Sequence, residues 1–288
     1  MLPTARCFSA TLLLGMMLAT DSGAQEPPVP SNVLDEGVIA QALHHVANAP
    51  VAVLPPLSSR STIVAKGNFG RAIYSDSTAS FTRLEDGLYD VQESARLAPN
   101  LTVGEGAGST SSSLSLCGLV VLFSAGNSQS VNKVFTTAAY WIYRITSSVE
   151  FGNYYKATLL ESTAPSLCNP SPNSTFTMRV DSIRTTRIEG AYTRDRTVEN
   201  SSSNTHTCNV AAVADAASRI APALDGDYLD VSCESQDQRK RPVVTRYAYL
   251  THYRYYLPVE STSKYQRSEV SYSLLPTAQP DSATDTPP

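Results

Sequence analysis

The chain has 288 residues, of which 42% are hydrophobic, 8% aromatic and only 17% charged. Average globular chains carry roughly 25% charge; here 37 Ser and 27 Thr fill the deficit. A net charge of −4 and a pI of about 5.6 exclude nucleic-acid binding by bulk positive charge. The length admits one large domain or two small ones with a buried core.

Residues 1–24 read as a signal peptide. Arg6 gives a positive start, residues 10–19 (ATLLLGMMLA) form an apolar run, and Ser22, Gly23 and Ala24 suit a cleavage site. Ten residues of helix cover about 15 Å, half of a bilayer core, so the run is too short to span. No later stretch reaches 18 apolar residues, and the longest, 116–123, has strand length. The expectation is a mature protein that starts at Gln25 and is secreted or periplasmic.

Residues 25–62 are expected to hold an N-terminal helix and a Pro-rich linker. After QEPPVP, Ser31 and Asn32 suit a helix cap, and Asp35 and Glu36 suit its first turn. Leu34, Val38, Ala42 and Val46 recur at helical spacing, widened by Ile39 and Leu43. His44 and His45 diverge by about 100° around that helix and cannot share a metal; the pattern puts His45 at the edge of the buried stripe and His44 in solvent. The prolines of 50–62 then favour extended chain.

Residues 63–275 are expected to form a β-rich domain. Short strands are predicted at 62–66, 72–75 and 87–92, and the stretch 104–115 (GEGAGSTSSSLS) reads as a flexible Gly/Ser loop. It lacks the strand-then-helix context of a dinucleotide fingerprint and the lysine of a P-loop. Beyond it, 116–123 reads as a doubly buried strand. Period-two alternation predicts strands over 131–149, 154–161, 176–180, 183–188, 228–233 and 243–257. Val210, Val213, Ala217 and Ile220 predict a second helix, with Asp215 and Arg219 paired and Pro222 closing it. The fold expected is α+β and mainly β: an antiparallel sheet or sandwich with one or two helices packed on it. A membrane barrel is disfavoured because about six strong strands are visible and two helices interrupt them. The tail, 276–288, is disordered by composition.

Four cysteines remain after Cys7 is removed with the leader: Cys117, Cys168, Cys208 and Cys233. In an exported chain an even count predicts disulfides, and sequential pairing, Cys117–Cys168 and Cys208–Cys233, closes two local units. No pair has zinc-site spacing; His206, two residues before Cys208, is the one nearby histidine, so no metal is expected. No cofactor is implied either.

Residues 246–257 (RYAYLTHYRYYL), read as one strand, put Tyr247, Tyr249, Tyr253 and Tyr255 on one face over about 27 Å. Such a row reads either as an aromatic binding platform or as a core row packed on cross-strand neighbours, the latter being the commoner use of strand tyrosines. Ser124, after the apolar run, is the nearest approach to a nucleophile, with His252 as the best placed base. Leu122 stands where a nucleophile elbow needs glycine. The functional expectation is a non-catalytic binding or envelope-associated factor for a glycan, peptide or protein partner. An extracytoplasmic hydrolase is the alternative.

Overall fold

A computed structural model describes residues 35–46, 51–65, 72–97, 108–138, 141–190, 193–237 and 239–274. The leader, the expected cleavage site and the C-terminal tail lie outside these residues. One helix, α1 (Glu36–Leu43), precedes twelve strands. They are β1 (Leu57–Ala65), β2 (Ala72–Arg83), β3 (Tyr89–Leu97), β4 (Gly108–Leu116), β5 (Val120–Ala138) and β6 (Trp141–Ser162). After them come β7 (Thr175–Gly190), β8 (Thr193–Ala216), β9 (Asp227–Gln236), β10 (Pro242–Leu250), β11 (Tyr255–Thr262) and β12 (Gln266–Leu274). Each strand pairs antiparallel with the next, and β1 pairs with β12 from Leu57↔Leu274 to Ala65↔Gln266, so the sheet closes into a barrel.

This corrects the expected sheet or sandwich with packed helices. The predicted second helix is strand. Val210 pairs with Val231 and Ala214 with Leu229, four residues along β8 against two along β9. The three residues bulged out between them turn a period of two into an apparent helical spacing. A single 3-10 turn, Ala217–Arg219, follows, and Arg219 does pair with Asp215. The supposed Gly/Ser loop is largely β4. Ser109, Ser111, Ser113 and Ser115 share the face that Tyr89 and Val91 occupy on β3. Across the next pairing this face continues into Ser124, Gly126 and Ser128 of β5. Ser59 and Ser61 of β1 likewise lie opposite Ser77 and Ser75 of β2. The lumen is therefore lined with hydroxyls, some bonded across strands: Ser59 to Ser77 at 2.7 Å and Ser182 to Ser202 at 3.0 Å.

The opposite face is charged. Arg60 meets Asp76; Arg179 meets Glu161 and Asp181; Arg246 meets Asp230 and Glu260; Arg267 meets Glu260 and Glu269. On β7, Arg179 and Asp181 alternate with buried Met178, Val180 and Ser182, which fixes the ion pairs on the outward face.

The lumen is filled at the end where the β2–β3, β4–β5, β6–β7, β8–β9 and β10–β11 connections gather. Apolar burial is concentrated there in two clusters, one holding Leu116, Leu122, Leu160, Met178 and Val231, the other Leu57, Tyr89, Leu224 and Leu250. Helix α1 is capped by the Asp35 carboxylate, which accepts from the Gly37 and Val38 N–H groups, and it buries Val38 and Ala42 in the first cluster. The cap is Asp35, not Ser31 or Asn32, and the helix is shorter than its apolar stripe. Beyond Lys156, β6 has run past its partner β5, and the Leu160 N–H there donates to Gln41 Oε1 of α1. The helix thus satisfies a buried donor that the sheet leaves over. His44 is exposed and His45 half-buried, as expected.

The two cysteine pairs form as predicted. Cys208 and Cys233 face each other directly across β8 and β9, and Cys117–Cys168 ties the β4–β5 turn to the β6–β7 loop. Residues 116–123 are a hairpin, not one strand. Cys117 and Gly118 both have positive φ, the backbone of a tight two-residue turn. A Cβ on Gly118 would lie 2.5 Å from the Tyr256 carbonyl oxygen, so the turn also needs glycine for space.

Candidate ligand cavity in the barrel lumen

The tyrosine segment is not one strand. β10 ends at Leu250, residues 251–254 turn, and Arg254 takes positive φ before β11 starts. The hairpin therefore divides the four tyrosines between the two clusters. Tyr249 lies in one and Tyr247 packs against it, while Tyr253 and Tyr255 lie in the other. Tyr249, Tyr253 and Tyr255 are 2%, 4% and 5% exposed. The hydroxyls of Tyr249 and Tyr253 are committed as well. Tyr249 donates to the Cys168 carbonyl at 2.8 Å, and Tyr253 Oη accepts from the Asp225 N–H at 3.1 Å. Tyr256, fully buried beside Tyr249, donates to the Leu167 carbonyl at 2.8 Å. These rings hold the filled end of the barrel together.

Space for a ligand lies on the other side of that filling. A cavity of about 290 Å³ is bounded by Leu119, Val120 and Val121 from the β4–β5 hairpin, Ser124 of β5 and Tyr155 of β6. Met178, Val180 and Arg184 of β7 and Asn204 and His206 of β8 complete it. Register explains the grouping. Ser124 pairs with Tyr155, Tyr155 with Arg184, Met178 with His206, and Val180 with Asn204. Each pair shares the lumen face, so four neighbouring strands present one concave patch.

Its chemistry is graded. Leu119, Val120, Met178 and Val180 are buried and form an apolar floor continuous with the core. Ser124, Tyr155, Arg184, Asn204 and His206 supply donors above it. Burial pushes the His206 imidazole below its ordinary value, so it is neutral at pH 7. Burial raises the Tyr155 phenol, against smaller opposing effects of a Ser182 hydrogen bond and the Arg184 charge. Among the described residues no carboxylate lines the cavity and Arg184 has no acidic partner. Among the described residues no cluster of His, Cys, Asp or Glu is arranged to hold a metal ion.

Of the residues singled out by sequence, Ser124 lines this cavity. His252 does not; it sits exposed in the 251–254 turn. Tyr155 and Arg184 fell on predicted strands but were not singled out, since which face looks into the lumen needs the register; Asn204 and the lumen position of His206 were missed because residues 193–207 have no apolar alternation to mark them as strand. The usable signal was the Cys208 end of β8, where Cys208, His206 and Asn204 recur every second residue.

Comparison with known proteins finds no matching family model, no curated relative and no solved structure of significant similarity. No helix among the described residues is long and apolar enough to cross a membrane.

Proposed function

We propose that this is an exported, non-catalytic binding protein that takes a small, partly apolar ligand into the lumen of its barrel. The observation carrying this reading is the cavity: an apolar floor under convergent polar groups, of a volume near the lower range of small-molecule sites. Export is supported by the N-terminal leader pattern and by two disulfides, which persist in oxidising compartments. The outward ion pairs support a barrel wall that faces water. A lipid-facing barrel needs an apolar band about 25 Å tall, and the outward faces of β7 and β9–β12 carry charges instead. Hydrolysis by a serine triad is disfavoured, because Ser124 and His206 share the cavity wall with no carboxylate among the described lining residues to orient the imidazole.

The test is a neutral apolar dye, N-phenyl-1-naphthylamine, titrated into the purified protein. The reading predicts saturable fluorescence enhancement at one site per chain, abolished by Ser124→Trp, which fills the cavity. Enhancement that is absent, or unchanged in Ser124→Trp, overturns it.

A further inference from the structure

Among the described residues the cavity lining holds one guanidinium and no carboxylate. From this we infer that its ligand is a single-chain amphiphilic acid, with an aliphatic chain on the Leu119–Val120–Met178–Val180 floor and a carboxylate on Arg184. The inference rests on the lumen-binding reading and specifies the ligand class.

Three features carry it. The first is charge. Arg184 reaches into the lumen from β7, flanked on the same face by Tyr155 of β6 and Asn200 of β8, both uncharged at neutral pH. The other long-stranded arginines on β7, Arg179 and Arg187, face outward and are paired with Asp181 and with Glu189. Arg184 alone of the three faces inward, and it lacks an acidic partner among the described residues. An exposed cation with no acidic partner, set beside apolar surface, is complementary to an anion whose apolar tail covers that surface and displaces water from it.

The second feature is donor geometry. A guanidinium offers a planar fork that fits a carboxylate in a bidentate pair. Tyr155, Ser124 and Asn204 add neutral donors around it. Among the described lining residues Arg184 is the one cation, His206 being neutral. One fixed positive charge balances a monoanion and leaves a phosphate dianion half compensated, so a carboxylate is favoured over a phosphate monoester.

The third is size. A volume of about 290 Å³ lies near the lower end of the range of small-molecule sites, room for a short single chain rather than a two-chain lipid. Sugars fit less well, because the floor offers them no hydrogen-bond partners.

Isothermal titration of the purified protein with decanoate and with decanol tests the inference. Decanoate is expected to bind once per chain with a Kd on the order of 10–100 µM, ordinary for a ligand of about twelve heavy atoms. Arg184→Gln should weaken decanoate at least tenfold, while Arg184→Lys, which keeps the charge but not the fork, should weaken it less. Decanol should bind the unmodified protein at least tenfold more weakly than decanoate and be indifferent to Arg184→Gln. Arg184 is exposed at the lumen surface, so neither variant removes core packing. If decanol matches decanoate, or Arg184→Gln leaves decanoate unchanged, the acid inference fails while the cavity reading stands. If neither ligand binds but the neutral dye does, the inference again fails alone. If dye, acid and alcohol all fail to bind, the lumen-binding reading falls with it.

Discussion

Replacing Tyr249 tests whether the tyrosine segment is structural. Its ring is 2% exposed, lies 4.7 Å from the Tyr256 centroid, and its hydroxyl donates to the Cys168 carbonyl beside a disulfide. Tyr249→Phe keeps the ring and removes the donor. It leaves the Cys168 carbonyl short of one partner in a buried setting, which costs about 1–3 kcal/mol. Tyr249→Ala also empties the space of a large buried aromatic, for a total of about 3–5 kcal/mol. Val213→Ala, at a side chain 77% exposed in the β8 bulge, should change stability by less than about 0.5 kcal/mol. Urea unfolding at fixed pH, followed by far-ultraviolet circular dichroism, reads all three as midpoint shifts. The order Val213→Ala, Tyr249→Phe, Tyr249→Ala in increasing loss is the expected outcome. A Tyr249→Ala protein as stable as Val213→Ala would mean that the segment is surface and that the two-sided burial of β10–β11 is wrong.

Removing both cysteines of one bridge should destabilise by about 3.5 kcal/mol for Cys208–Cys233, which spans 25 residues, and about 4 kcal/mol for Cys117–Cys168, which spans 51. Melts that shift equally little for both double variants, by under about 1 kcal/mol, would contradict this. Gly118→Ala should cost about 2–5 kcal/mol from the left-handed backbone and the clash with Tyr256, whereas Gly108→Ala, with its nearest neighbour at 3.6 Å, should cost under about 1 kcal/mol. Equal effects would refute the turn geometry. Burial holds the phenols of Tyr249, Tyr255, Tyr256 and Tyr272 above their ordinary value of 10.0. The unfolded chain therefore loses protons near pH 10 that the folded chain keeps, so stability is retained below pH 10 and falls as pH rises past it. Urea midpoints at about pH 9 and about pH 11, with tyrosinate absorbance, check the sign; a higher midpoint at the alkaline pH would reverse it.

The disulfides were legible because an even cysteine count, read with the leader pattern, constrains pairing more strongly than any local propensity does. The helix near residue 38 was legible because one stripe of it is truly buried. The barrel was not, and the serines explain why. Hydrophobic alternation reveals a strand only when one face meets an apolar core. On β4, both Ser111 and its neighbour Ser112 meet polar surroundings, one in the lumen and one outside, so the pattern is flat. β2 and β8 hide in the same way. Where alternation was visible, hairpins blurred it: Cys117–Gly118 and residues 251–254 are apolar or aromatic enough to pass as continuous strand. Of the cavity residues, Asn204 and His206 fell where β8 shows no alternation, while Tyr155, Met178, Val180 and Arg184 fell on predicted strands whose inward face was not known. Arg184 differs from Arg179 and Arg187 only in parity, and parity is readable only after the register is known.

Met178 gives the most direct test of the lumen site. The chain has four methionines, of which Met1, Met16 and Met17 lie in the expected leader; a protein that starts at Gln25 would carry a single methionine, Met178, on the cavity floor. Selective 13C labelling of methionine methyls should give one resonance in protein prepared from Gln25 onward. On adding decanoate that resonance should shift progressively and saturate at one equivalent per chain, and Ser124→Trp should abolish the shift. A Met178 resonance that stays in place while ligand binds would put the binding site outside the lumen and contradict the account.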